Sequence, residues 1–347
     1  MSYTNGLDKP TDYFNTVLYT GNSSTQSITG VNFKPDFVWI KKRSGVDGSR
    51  VFDIVRGASQ GLFTDSNAEE VTVSSEHTSF DSDGFSLGAS ENVNGSGETY
   101  ASWSWLASNT TASNTDGSIT STVSANTTSG FSIVSFTGTG ANATVGHGLG
   151  VAPKMIIVKN RIDAQPWWVY HSSIGAGGQL RLEETDAQGS DGGVLWNSTA
   201  PTSTVFSLGD NGGSNGSGDN TIAYCFAEKK GYSKFGKFTG NGSTDGTFIY
   251  TGFKPSFWLQ KRSDGSGGWV MYDNKRAGYN PKTDILYAND SAVEDTSNSE
   301  WADIVSNGFK YRTVGGNDIN NSGNEYIYMA FAESPFVTST GIPTTAR

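Results

Sequence analysis

Ala101-Ser102-Trp103-Ser104-Trp105 is the stretch whose reading decides the fold. Successive side chains of a strand point to opposite faces, so Ala101, Trp103 and Trp105 share one side and Ser102 and Ser104 the other. The alternation returns as Ile222, Tyr224 and Phe226 against Ala223 and Cys225, and again as Ile327, Met329 and Phe331. In each case the large residues point one way, into a core. The smaller face must let another element approach closely.

Upstream of each alternating strand the same signals recur in the same order. An aromatic-Thr-Gly cue opens the series at Tyr19-Thr20-Gly21, Phe136-Thr137-Gly138 and Phe238-Thr239-Gly240. A proline then leads a short apolar run: Pro35 before Phe37-Val38-Trp39-Ile40, Pro153 before Met155-Ile156-Ile157-Val158, and Pro255 before Phe257-Trp258-Leu259. Such runs are too short for a helix and read as strands covered on both faces, central in their sheets. A second aromatic strand follows as Arg50-Val51-Phe52-Asp53, Trp167-Trp168-Val169-Tyr170-His171 and Trp269-Val270-Met271-Tyr272-Asp273, with an arginine downstream at Arg56 and Arg276 but none in the middle series. The polar stretches Thr64–Asn67 and Ala288–Ser291 read as loop, and Asn/Gly-rich turns at 92–97, 215–218 and 320–324 tip the chain into the closing strand. The expected fold class is all-β: three tandem antiparallel β-sandwich modules of jelly-roll type over 1–107, 115–228 and 232–336, with a C-terminal tail at 337–347. Short joints between them predict a rod or an arc.

The 19 Phe, 14 Tyr and 9 Trp are spread along a Gly-, Ser-, Thr- and Asn-rich chain of 347 residues and supply the burial that disordered sequences lack. The net charge of -10 argues against binding nucleic acid through its phosphates. The longest basic run, Lys41-Lys42-Arg43, and its counterparts Lys159-Asn160-Arg161 and Lys261-Arg262 close one strand in each series and read as solvated strand ends. A lone cysteine, Cys225, allows no internal disulfide. With no apolar signal core in the first 16 residues and no apolar stretch near 18 residues, the expectation is a soluble chain made in a cytoplasm, without membrane insertion.

Chemistry is sparse. His77, His147 and His171 lack metal-ligand spacing and read as surface or turn residues; no metal and no cofactor is expected. Asp81 with Asp83 and Glu184 with Asp186 have the strand spacing of a glycosidase pair, and Asp53 stands alone. However, Glu-x-Asp-x-x-Glu is missing, and Asp81-Ser82-Asp83-Gly84 lacks the later glutamate of a calcium loop. Cys225 falls on the small strand face as a structural thiol. No catalytic residue is assigned. Aromatic rings beside Asn and Asp make sugar platforms, and the glycan-binding candidates are the adjacent Trp167 and Trp168, one of which must face away from the core, then Trp196 and Trp301 in loops.

Asp12-Tyr13-Phe14-Asn15-Thr16 with Tyr19-Thr20-Gly21, the run Val145-Gly146-His147-Gly148-Leu149-Gly150 before Pro153 to Lys159, and the ending Tyr326 to Phe336 resemble the repeated lectin-like (concanavalin/SPRY-type) β-sandwich modules of bacteriophage tail-fibre and other virion proteins. The resemblance runs from about Asp12 to Phe336 and implies a virion surface role, assembly in the host cytoplasm, other virion proteins as partners, contact with host surface glycans and a homo-oligomer, a trimer. It carries no catalytic residues to transfer. The expected function is a non-enzymatic virion structural protein, part of a tail fibre or adhesion device. A capsid decoration protein is the alternative, kept close by the missing heptads, and a glycan-degrading enzyme comes third.

Overall fold

The computed structural model describes residues 6–297, 301–314, 316 and 318–344. It is nearly all β, in several antiparallel sheets that are each confined to one third of the chain. The first third holds a six-stranded sheet in the order Phe14–Thr20, Thr99–Trp105, Phe37–Lys42, Arg50–Asp53, Gly57–Phe63, Val71–Thr72, faced by a three-stranded sheet of Gln26–Thr29, Gly84–Leu87 and His77–Asp81. The middle third pairs an eight-stranded sheet, Ala112–Asn114, Ser121–Asn126, Phe131–Thr137, Asn220–Phe226, Met155–Asn160, Trp168–His171, Gly178–Arg181 and Gly189–Ser190, with the two strands Ala143–Gly146 and Val205–Leu208. The last third has five strands, Ser233–Thr239, Glu325–Pro335, Phe253–Arg262, Trp269–Asp273 and Leu286–Tyr287, over three, Phe248–Tyr250, Gly308–Tyr311 and Ala302–Val305.

In every large sheet the closing strand lies between the opening strand and the proline-led strand. Trp105 faces Phe14 on one side and Phe37 on the other, Phe226 faces Phe131 and Met155, and Phe331 faces Ser233 and Phe257. The aromatic-Thr-Gly cue has a local cause. Buried Asn94, Asn215 and Asn320 each accept from the backbone N–H one residue past the cue glycine, at Asn22 (2.9 Å), Thr139 (2.9 Å) and Asn241 (3.2 Å). This draws the turn so close that a Cβ on Gly21, Gly138 or Gly240 would lie 2.2, 2.3 and 2.3 Å from the carbonyl oxygens of Gly95, Gly216 and Asn321. Only glycine fits there.

Each large sheet buries both faces. The small-residue face packs on its own small sheet, as with Val38, Ile40, Phe52, Phe85 and Leu87 in the first third. Ala223 and Cys225 do the same in the middle third. The large-residue face enters one cluster common to all three thirds, which holds Trp103, Trp105, Tyr224, Phe226, Met329 and Phe331 together. Rings meet across thirds: Phe14 and Phe331 stack at 5.2 Å, Phe37 and Tyr224 lie 4.7 Å apart, and Trp105 and Phe226 6.3 Å. The expected rod or arc is therefore corrected. A row of sandwiches would leave these aromatic faces in water, whereas mutual closure buries them, at roughly 1.5–3 kcal/mol per large side chain.

The strand Ala112–Asn114 precedes the expected start at 115 and pairs with Ser121–Asn126, so most of the connection from the first third joins the middle sheet. At the other joint, Tyr232 donates its N–H to Lys229 O at 3.0 Å and drops its ring into the common cluster. Among the described residues no helix is long and apolar enough to cross a membrane.

Candidate functional site

The basic strand ends are not solvated. Lys41, Lys159 and Lys261 are fully buried, and each ammonium donates to a carbonyl in another third: Lys41 to Asp290 O at 2.7 Å, Lys159 to Asn67 O at 3.1 Å, Lys261 to Thr185 O at 3.1 Å. The three bonds run from first to last, middle to first and last to middle, a closed cycle. Burial lowers all three amines to about 8. The stretches read as loop, Thr64–Asn67 and Ala288–Ser291, supply two of these acceptors.

Two of the three junctions also carry ion networks. Arg161 grips Glu70 at 2.7 and 3.0 Å across the first-to-middle junction, and Glu70 also accepts from Arg56 at 3.0 Å. Arg56 in turn pairs with Asp53, which also accepts from the Tyr224 hydroxyl at 2.7 Å and from the backbone N–H groups of Val55 and Arg56. At the last-to-first junction Arg43 grips Glu294 (2.7 Å), Glu294 accepts from Arg276 (3.1 Å), Arg276 pairs with Asp273 (2.6 Å), and Asp273 accepts from Trp103 Nε1 (3.2 Å). Burial pushes the Asp273 carboxyl up, but Arg276 and two backbone N–H donors outweigh it and leave it below the ordinary range.

The middle third lacks both acid and arginine at these positions. His171 sits opposite Met155 as Asp53 sits opposite Phe37 and Asp273 opposite Phe257. Its Nδ1 accepts from Ser173 N–H (3.2 Å), which leaves Nε2 to donate to Tyr328 O at 3.2 Å. On the closing strand of the last third, Met329 replaces the donors Trp103 and Tyr224. A carboxylate there would have no indole or phenol to receive.

Most of the remaining chemical candidates are also committed to structure. His77 and His147 are buried, which corrects their reading as surface or turn residues along with that of His171. His77 stacks on Phe52 (4.9 Å) and puts Nδ1 3.0 Å from Ala58 O; burial lowers His77 and His171 to about 4, so both rings are neutral. Asp81 accepts from Ser79 and Ser86 hydroxyls, and Asp83 from the N–H groups of Gly30 and Asn32, so both close turns. Asp186 pairs with Arg181. Cys225 is buried on the small face, and burial pushes its thiol up. Among the described residues no group of three His, Cys, Asp or Glu is placed to hold a metal.

Of the four tryptophan candidates, two are removed from solvent. Trp167, 1 % exposed, lies in the common cluster and donates Nε1 to Phe63 O (2.8 Å) and Ser66 O (3.2 Å) of the first third. Trp196, 2 % exposed, packs edge-on to Tyr170 at 5.8 Å in the buried cluster of the middle third. Neither can offer a ring face to a sugar, because each indole fills a core that its exposed neighbours only border. Trp301 is half-buried. Trp168 points opposite to Trp167, is half-buried, and borders a recess of about 270 Å³ with Gln179, Leu180, Arg181 and Asp186.

A larger recess escaped the sequence reading. It measures about 420 Å³ and lies at the joint between the middle and last thirds, lined by Glu228, Lys230, Lys234, Tyr250, Phe336 and Val337 among others. The available signal was the run Phe248-Ile249-Tyr250, in which aromatic residues occupy both outward positions of a short strand.

A family described as a domain of unknown function (DUF7483) matches residues 9–335. No curated protein and no solved structure matches.

Proposed function

Since the chain belongs to the DUF7483 family of domains of unknown function, we propose from its own residues that it is a non-enzymatic structural protein of a bacteriophage particle, a tail-fibre or adhesion component. In this reading it is three consecutive β-sandwich modules, and the Trp168 recess is one surface it turns to host glycans. The observation that carries the reading is the cycle of buried lysines around a common aromatic cluster. Cations, carboxylates and histidines that could serve chemistry are instead committed to holding sheets together. A rigid body of this kind lowers the ordering cost of each weak contact it displays, which suits multivalent attachment.

The chain's own thirds already cover one another's inner faces, so a trimer of the kind the resemblance implies would have to form through outer surfaces. We therefore assign the three-fold arrangement to a single chain. Light scattering on the purified protein is expected to return the mass of one chain, and a stable trimer would sink this part of the proposal. Antibody labelling of intact particles is expected to place the chain on the tail or its fibres. Label on the head surface would favour decoration instead, and particles without the chain would overturn the virion role.

A further inference from the structure

One side of the last third lies open where its counterpart in the middle third is covered by added strands. In the middle third the corresponding side is covered: Ser121–Asn126 pairs with Phe131–Thr137, Ala112–Asn114 adds outside it, and Ile119 donates its N–H to Thr144 O at 3.0 Å on the small sheet. Register makes the two sides equivalent. Ser233 faces Phe331 as Phe131 faces Phe226, and Ile249 faces Phe309 as Val145 faces Phe206.

The residues flanking the two matched positions differ in kind. Beside Val145 stand Thr144 and Gly146, and a Cβ on Gly146 would fall 1.7 Å from Asn114 Oδ1, so the cover itself dictates the small residue. Beside Ile249 stand Phe248, 46 % exposed, and Tyr250, 60 % exposed. Where the cover would lie, the recess of about 420 Å³ opens between Tyr250 and Phe336, which is 39 % exposed. Its wall carries the Lys234–Glu228 pair at 3.0 Å.

We infer that this recess is a saccharide-binding site that holds a pyranose between Tyr250 and Phe336, with hydroxyls on the Glu228 carboxylate and the Lys234 ammonium. Its size lies within the range of small-ligand pockets, and apolar ring walls with a few convergent polar groups match the amphipathic faces of a sugar. An added peptide strand fits less well. Glu228 Oε2 already accepts the outward Phe235 N–H at 3.2 Å, and the pairs Lys234–Glu228 and Lys237–Glu325 set charge along that edge, as edges are protected from strand addition. The inference rests on the adhesion reading above but names a place outside the tryptophan candidates.

Saturation-transfer NMR of the full chain with methyl glycosides of glucose, galactose and N-acetylglucosamine tests it. One of them is expected to bind a Trp168→Ser chain, in which the other glycan candidate is removed, and to bind about tenfold more weakly once Tyr250→Ser is added. Loss in Trp168→Ser alone would overturn this site while leaving the adhesion reading intact. Absence of binding by the wild type would overturn the site too, the particle labelling deciding the broader reading independently. Protection of the Lys237 amide by a strand of another particle protein would mark the recess as a polypeptide dock and likewise overturn it.

Discussion

At the scale of single residues, the unusual groups are those whose protonation the fold has moved. For Lys41, Lys159 and Lys261 the folded value is about 8 against 10.5 unfolded. Between those values the unfolded chain binds more protons, so stability rises with pH. Below pH 8 both states are charged and the cost of the buried ammonium is constant. Urea midpoints are expected to climb from about pH 8 to about pH 9.5, short of tyrosine ionisation. The climb is expected to shrink as Lys41, Lys159 and Lys261 are changed in turn to Met; a flat or falling profile would contradict it. The histidines act at the acid end. His77 and His171, at about 4 folded and 6.5 unfolded, leave the unfolded chain the better proton binder in that window, so stability falls as pH drops through it. Asp36, raised by burial to about 6 from 3.8, and Glu183, also raised by burial, work in the opposite sense, against three histidines lowered by burial, His77, His147 and His171. In His77→Phe the ring contact with Phe52 is kept and the titrating nitrogen removed, so the acid loss between about pH 6.5 and 4 is expected to shrink in an acid titration followed by tryptophan fluorescence. None of this was legible in the sequence. A lysine ending a strand reads as solvated because most are, and its carbonyl partner lies in another third of the chain.

At the scale of elements, period-two patterning made the strands legible. The closing strand and the proline-led strand lie where alternation and short apolar runs placed them, because both signals follow from the pleat itself, whereas the opening strand was marked only by the cue at its end. What alternation does not say is which body covers each face. The Trp103/Trp105 face read as facing a core, and it does, but that core is shared with Tyr224, Phe226, Met329 and Phe331. The same gap explains Trp167 and Trp196: a ring in a loop, or one of an adjacent pair on a strand, looks free until its neighbours are placed. The recurring cue, by contrast, is a local device and predicts a local effect. Gly21→Ala would set a Cβ 2.2 Å from Gly95 O, a backbone atom that cannot turn aside, and is expected to cost about 1–3 kcal/mol. Gly138→Ala and Gly240→Ala are expected to match it, while Gly177→Ala, with open space around it, stays near wild type in the same thermal unfolding series.

At the scale of the whole molecule, the three junctions are alike in plan and unequal in strength. All three have the buried lysine, and the middle-to-first and last-to-middle junctions also share an indole donor: Trp167 to Phe63 O at 2.8 Å, Trp269 to Arg181 O at 2.8 Å. Among the described residues only two have an arginine–glutamate clamp. Arg161–Glu70 and Arg43–Glu294 cross their junctions at 2.7 Å with arginines that keep part of their surface in water, so their desolvation cost is modest and charge-assisted bonding favours closure. At the last-to-middle junction Arg262 turns to its own Asp264 at 2.8 Å, Gln188 supplies no carboxylate, and His171 is neutral. Closure there rests on the lysine, the indole, the neutral His171 bond to Tyr328 O, backbone bridges and apolar packing, with no arginine–carboxylate pair across it among the described residues. Opening is therefore expected to begin at that junction. Amides that bridge each junction report on it directly: Gln188 N–H to Ser263 O (2.7 Å) and Gly267 N–H to Thr185 O (2.8 Å) against Glu70 N–H to Arg161 O (2.9 Å) and Glu294 N–H to Arg43 O (3.0 Å). Native-state hydrogen exchange should find the first pair less protected than the second, although their bonds are no longer. Glu70→Gln removes the clamp while leaving the side chain's shape, and should bring the Glu70-position amide down toward the level of Gln188 without disturbing Glu294. Equal protection at all three junctions in the wild type would mean that the common aromatic cluster alone sets the cooperativity, and that the ion networks add register but no strength.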